Sequence, residues 1–230
     1  MEYIKNNLKE LLSEIEELRD GREVRLVAVT KSGSDEELIE LVKCGATDIG
    51  ENRPQELWRR GKLLEENGLA PRLHEIGHLQ RNKVSKIIEN VYLIHSVDRY
   101  ELALEIDRQA KRVGRRVPVL IEVNSATEEA KSGVLPEDAV DFYKKVRELD
   151  SLIVSGIMTM GPVCENPEDI RPYFRLTKKI FDEINETYGF EGEPTLSMGM
   201  SDSYKVAIEE GATLVRVGRR LFKKEENQNV

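Results

Sequence analysis

The chain has 230 residues and a formal net charge of −8, from 35 Lys and Arg against 43 Asp and Glu. That length admits one sizeable core, including an α/β barrel run as a single domain, and the negative balance disfavours nucleic acid and anionic membrane surfaces as partners. The two cysteines, Cys44 and Cys164, stand far apart with no CxxC or Cys/His spacing, which argues against a disulfide framework and a zinc site and points to a reducing compartment. Met1 to Asp20 carry no apolar signal core and no stretch approaches membrane-spanning length, so a soluble, cytoplasmic protein is expected.

Taken in chain order, the elements alternate. Ile4, Leu8, Leu11, Leu12, Ile15 and Leu18 recur at three- and four-residue steps, which predicts an N-terminal amphipathic helix within residues 1–20, closed near Gly21. The apolar run Val24 to Thr30 reads as the first strand. Ser34 then reads as a helix N-cap with Glu37 three residues on, ahead of a helical face of Leu38, Leu41 and Val42 that stops at Gly45. A strand around Asp48 to Gly50, a helix from Pro54, a strand Leu73 to Ile76 and a helix through Val84, Ile87 and Ile88 repeat the pattern. Further strands are expected at Val91–His95, Val117–Val123, Leu152–Ile157, Thr195–Met198 and Thr213–Val217, with helices between them. Residues 223–230 read as a frayed tail.

About eight strands, each followed by a helix and with no linker between halves, predict an α/β fold closed as a (β/α)8 TIM barrel over 1–230, with an extra helix at its N-terminus. A doubly wound open sheet is the rival, but no GxGxxG follows the first strand. In a barrel, chemistry gathers at the C-terminal strand ends. Lys31 stands where the first strand gives way to the turn Ser32-Gly33-Ser34, a place suited to an amine that attacks a carbonyl, although a lysine leaving a strand end is also ordinary. After the seventh strand, Ser197-Met198-Gly199-Met200-Ser201-Asp202, and after the eighth, Arg216-Val217-Gly218-Arg219-Arg220, together resemble a phosphate cradle. Arg216, between two valines of a buried strand, needs an acceptor, either a ligand or a barrel carboxylate such as Glu122.

His74-Glu75-Ile76-Gly77-His78 matches H-E-x-x-H literally, but Pro71 before it and Gly77 within it favour a strand and loop over the helix a zinc protease requires, so no metal is assigned. Glu51, Asn52, Asn124 and Met158-Thr159-Met160 are further residues expected at strand ends. Lys131, in a loop beyond the fifth strand, reads as a surface lysine or as a second amine.

The ordered series V-A-V-T-K (27–31), G-E-N (50–52), I-G-H-L-Q-x-N-K (76–83), H-S-V-D (95–98), K-S-G (131–133), L-S-M-G-M-S-D (196–202) and V-R-V-G (215–218) resembles the pyridoxal 5′-phosphate homeostasis protein family over nearly the whole chain. The resemblance implies a barrel like the N-terminal domain of bacterial alanine racemase. It also implies pyridoxal 5′-phosphate (PLP) as cofactor, held as a Schiff base on Lys31. Ser201 and Gly218 would hold the phosphate, Arg216 would face the pyridine nitrogen, and Asn52 and Met160 would line the ring pocket. The chain departs from the family pattern where Arg219 replaces a phosphate-binding threonine, where Arg53 replaces a tyrosine, and where Glu75 replaces an aromatic residue.

An arginine at the ring nitrogen keeps that nitrogen unprotonated and weakens the electron sink that catalysis needs. The resemblance thus implies a non-catalytic protein, expected as a monomer, that buffers PLP or delivers it to PLP-dependent apo-enzymes. A weak amino-acid racemase is the alternative, and a Schiff-base aldolase-type barrel acting on a sugar phosphate is a second.

Overall fold

In the computed structural model, which describes residues 1–128 and 130–224, eight parallel strands close into one barrel in sequence order. They are β1 (Arg25–Val29), β2 (Asp48–Glu51), β3 (Arg72–Glu75), β4 (Leu93–Val97), β5 (Val117–Glu122), β6 (Leu152–Met158), β7 (Thr195–Ser197) and β8 (Leu214–Val217). Closure is made by β1 against β8, with Ala28 opposite Val217. Short apolar runs punctuated by Gly, Asn and Asp give these strands, because parallel strands buried on both faces need apolar side chains throughout and crossover helices between them.

The helices are α1 (Glu2–Leu18), α2 (Asp35–Lys43), α3 (Pro54–Glu66), α4 (Val84–Ile87), α5 (Tyr100–Arg112), α6 (Ala139–Val146), α7 (Arg171–Thr187) and α8 (Tyr204–Glu209). Seven of them follow β1 to β7, while among the described residues no α-helix follows β8. The N-terminal helix takes that place. It buries Ile4, Leu8, Leu11 and Ile15 and packs against both α2 and α8, so it closes the outer ring as well as preceding the first strand.

Two apolar layers hold the barrel. Ala28, Ile49, Ile94, Val119, Ile157, Leu196 and Val215 face outward and share a core with the helices. Val27, Leu93, Leu120, Met158 and Leu214, from five different strands, meet as a separate cluster, which is possible only in the barrel interior. Strand alternation therefore assigns Asp48, His74, Glu122 and Arg216 to the interior, and Glu51 and Glu75 to the layer between strands and helices.

The start of α2 forms as its sequence predicts. Glu37 donates its backbone N–H to Ser34 Oγ at 3.2 Å, and the Glu37 carboxylate accepts from Ser34 N at 2.7 Å. Ser34→Ala is expected to lower stability by ~1 kcal/mol, measurable as a shift in the urea midpoint at constant m-value. Residues 225–230 of the expected tail lie outside the described residues. Lys223, also assigned to it, is tied down, its carbonyl accepting from Asn7 Nδ2 at 2.8 Å.

Candidate functional site

Lys31 lies two residues beyond β1 in an exposed turn. The turn is pinned from below by Arg60 of α3, a residue that reading the sequence did not single out. Arg60 donates to the carbonyls of Thr30 and Gly33 on either side of Lys31, at 2.5 and 2.7 Å, and forms a buried ion pair with Glu51 at 2.6 Å. The Thr30 hydroxyl donates to the same Glu51 oxygen. A signal for Arg60 was present, since Leu57, Arg60 and Leu64 share the buried stripe of α3.

The loops after β7 and β8 interlock beside this turn. Gly218 N–H points at Ser201 Oγ at 3.3 Å, and Arg216 N–H donates to the Gly199 carbonyl at 3.0 Å. Gly199 has φ +91°, and a Cβ there would stand 2.5 Å from Ala207 Cβ, so only glycine lets the loop fold this closely onto α8. Ser201 and Gly218 are half-buried. Arg219 is exposed, its guanidinium paired with Asp202 at the rim. Since β7, β8 and β1 are consecutive in the closed sheet, Ser201, Gly218, Arg216 and Lys31 share one sector of the mouth.

Arg216 is buried among polar partners. Nη1 donates to Ser197 Oγ at 2.6 Å and Nη2 to the Thr159 carbonyl at 3.0 Å. Burial pushes its pKa down to about 10, against the opposing pull of Glu122. Glu122 is itself pushed up to about 7, chiefly by burial and then by Asp98, while Arg216 and Arg99 oppose the rise. The barrel carboxylate thus acts on Arg216 through space, and the hydrogen bonds go to Ser197 and Thr159.

Asn52 is exposed on the loop after β2, where Gly77 runs so close that a Cβ there would lie 2.2 Å from the Asn52 carbonyl oxygen. Met160 is 45% exposed on the loop after β6. Lys131 is held by Glu128 at 2.7 Å and by the Gly161 carbonyl at 3.3 Å, an ion-paired lysine bridging two mouth loops. His78, on the loop after β3, meets Ser132 at 3.1 Å and Asp98 at 3.5 Å. His74 is buried inside β3, so the two histidines of the H-E-x-x-H match do not share a helical face. Among the described residues no helix is long and apolar enough to cross a membrane.

Residues 2–225 match the family model for the alanine racemase N-terminal domain. A pyridoxal phosphate homeostasis protein of Aquifex aeolicus is 44% identical over 198 residues, covering 86% of each chain. The chain belongs to the pyridoxal phosphate homeostasis protein family. Another member, from Helicobacter pylori, is 37% identical and covers 93% of this chain and 95% of its own. The structure of PipY of Synechococcus elongatus with PLP bound superposes with a TM-score of 0.84 at 28% identity, covering 96% of this chain and all of PipY. The barrel is thus shared with PipY over nearly the whole of both chains.

Proposed function

We propose that this family member binds PLP at the β7–β8–β1 sector of the barrel mouth and serves PLP homeostasis by buffering the cofactor or delivering it to apo-enzymes. The observation that carries the reading is the convergence of three different chemistries on adjacent strands: an exposed amine at Lys31, the Ser201 hydroxyl with the Gly218 N–H, and the buried Arg216 guanidinium. These donors fit a ligand with an aldehyde, a phosphate and a ring nitrogen, and the family membership and the PLP-bound relative support that ligand. When bound, the cofactor supplies an electrophilic aldehyde and an electron-withdrawing ring.

In this reading the Lys31 amine would hold the aldehyde as a Schiff base, formed with release of water and reversed by hydrolysis, so that the ligand can be given up as well as held. Ser201 and Gly218 bind the phosphate oxygens. Arg219, paired with Asp202 through one terminal nitrogen, is a further cation beside them. Arg216 donates toward the ring nitrogen, and as a guanidinium it does not pass a proton to that nitrogen, which favours holding the cofactor over turning substrate over. Asn52 and Met160 flank the ring from neighbouring loops.

The test is an absorbance spectrum after PLP addition and desalting, followed by borohydride reduction and peptide mapping. A retained band with the reduced adduct on Lys31, both lost in Lys31→Ala, is the expected result. Labelling scattered over surface lysines would reject the assignment. Deuterium exchange at the α-carbon of added amino acids would establish the racemase alternative.

A further inference from the structure

Beneath Arg216 the barrel interior holds a continuous line of polar groups. Arg216 Nη1 meets Ser197 Oγ at 2.6 Å, and Ser197 Oγ meets His95 Nδ1 at 3.0 Å. His95 Nε2 meets His74 Nδ1 at 3.0 Å, and His74 Nε2 meets Asp48 Oδ1 at 2.9 Å. Asp48 stands at the first residue of β2, at the end of the barrel opposite the mouth, where Arg72 and Thr47 each bind its other oxygen at 2.7 Å. Both histidines and Ser197 are fully buried, drawn from β3, β4 and β7.

With Asp48 ionised and both rings neutral, only one proton order satisfies every contact. The carboxylate only accepts, so His74 carries its single proton on Nε2, and the guanidinium only donates, so Ser197 Oγ accepts from Arg216. His74 Nδ1 then accepts from His95 Nε2–H, which leaves His95 Nδ1 to accept the Ser197 hydroxyl hydrogen. Burial lowers the pKa of His74 against the opposing bond and charge of Asp48, and burial, with His74 and Arg216 adding to it, holds that of His95 well down, which keeps the rings neutral as this order demands. Burial works to raise the Asp48 pKa, but bonds from His74 and Thr47 and the neighbouring Arg72 outweigh it and hold the carboxyl ionised. A cation that only donates and a carboxylate that only accepts thus terminate the line; the carboxylate sets its direction, and Ser197 meets the cation with a lone pair.

We propose that Asp48, His74, His95 and Ser197 are positioning residues for Arg216: by enforcing a single proton order they turn a lone pair of Ser197 toward the guanidinium and fix its orientation at the mouth. Ser197 and the Thr159 carbonyl occupy one N–H on each terminal nitrogen, and the remaining N–H groups are left for a ligand. Resting on the PLP reading above, the ligand group served is an aromatic ring nitrogen that accepts a hydrogen bond. Asp48 thereby acts on Arg216 from the far end of the barrel, through three intervening side chains.

Two-bond 1H–15N spectra of histidine-labelled protein test the order without any ligand. The chain has three histidines, and His78→Ala removes the exposed one from the spectrum. His74 and His95 are expected as neutral Nε2–H tautomers at pH 7, and an imidazolium or an Nδ1–H signal from either ring would overturn the proposal. The second measurement is the rotation rate of the Arg216 guanidinium, assigned by its loss in Arg216→Lys, together with PLP release. Asp48→Asn and Ser197→Ala are each expected to speed rotation severalfold and release about tenfold, with the far-UV spectrum retained. Wild-type rates in both variants, with only the melting temperature lowered, would leave the line a purely structural one and reject positioning. A wild-type protein that failed to retain PLP would defeat the functional reading alone, since the tautomers and guanidinium rotation judge the line without cofactor.

Discussion

Arg60→Met is expected to cost ~3–5 kcal/mol of stability, a fall in Tm on the order of 10 °C, because it leaves the Glu51 carboxylate buried without its cation. The pair is closed from solvent on both sides, at 8% and 2% side-chain exposure, and its distance is 2.6 Å. The surviving partner of Glu51 is the Thr30 hydroxyl, a single neutral donor. Removing both charges, in Arg60→Met with Glu51→Gln, should return much of the loss, with a coupling of roughly 2 kcal/mol or more in a double-mutant cycle. A single-variant loss below about 1 kcal/mol would show the pair to be solvated and the argument wrong. The same substitution releases the carbonyls of Thr30 and Gly33, so the folded variant should also lose PLP faster than wild type, through disorder of the Lys31 turn.

The alternation of strands and helices was legible because each unit carries its own punctuation, as with Ser34 and Gly45 around α2 or Pro54 at the start of α3. Boundaries were less so. The run from Val91 suggested a strand through His95, whereas β4 spans Leu93–Val97, since pairing begins at Leu93 opposite His74 and hydropathy does not reveal where a neighbour starts. Periodicity likewise gave α1 its buried face but not its position between α8 and α2, which depends on barrel closure. The mouth residues Lys31, Ser201 and Gly218 could be placed from strand ends alone. Asp48, His74, His95 and Ser197 could not, since their contacts span up to 102 residues and inward-facing polar side chains look unremarkable one at a time. The closed sheet is what brings them into line.

Glu75 offers a prediction whose sign reverses ordinary expectation for a carboxylate. It is fully buried, facing the helix layer. One oxygen accepts only a long bond from Gly77 N at 3.3 Å, and the other finds no partner among the described residues. Burial, with the Glu51 charge adding to it, pushes its pKa up to about 8. In the unfolded chain the group titrates near 4.5, so between about 4.5 and 8 the folded state holds a proton that the unfolded state has lost. Its contribution is therefore fully present below the unfolded value and is lost as pH rises through 8. Glu75→Gln keeps the shape and removes the titration. The variant should match wild type within about 0.5 kcal/mol at acid pH, where Glu75 is protonated in both states. At pH 8.5 to 9 it should be the more stable protein. The ceiling set by the shift is ~5 kcal/mol, and water reaching the unpartnered oxygen should reduce it to the order of 2 kcal/mol. Glu122, pushed up to about 7, adds a slope of the same sign to wild type and variant alike, so the difference between them isolates Glu75. Denaturant midpoints of both proteins at about pH 4 and 8.5 decide it, and an equal gap at the two values would mean that Glu75 is not the group that titrates.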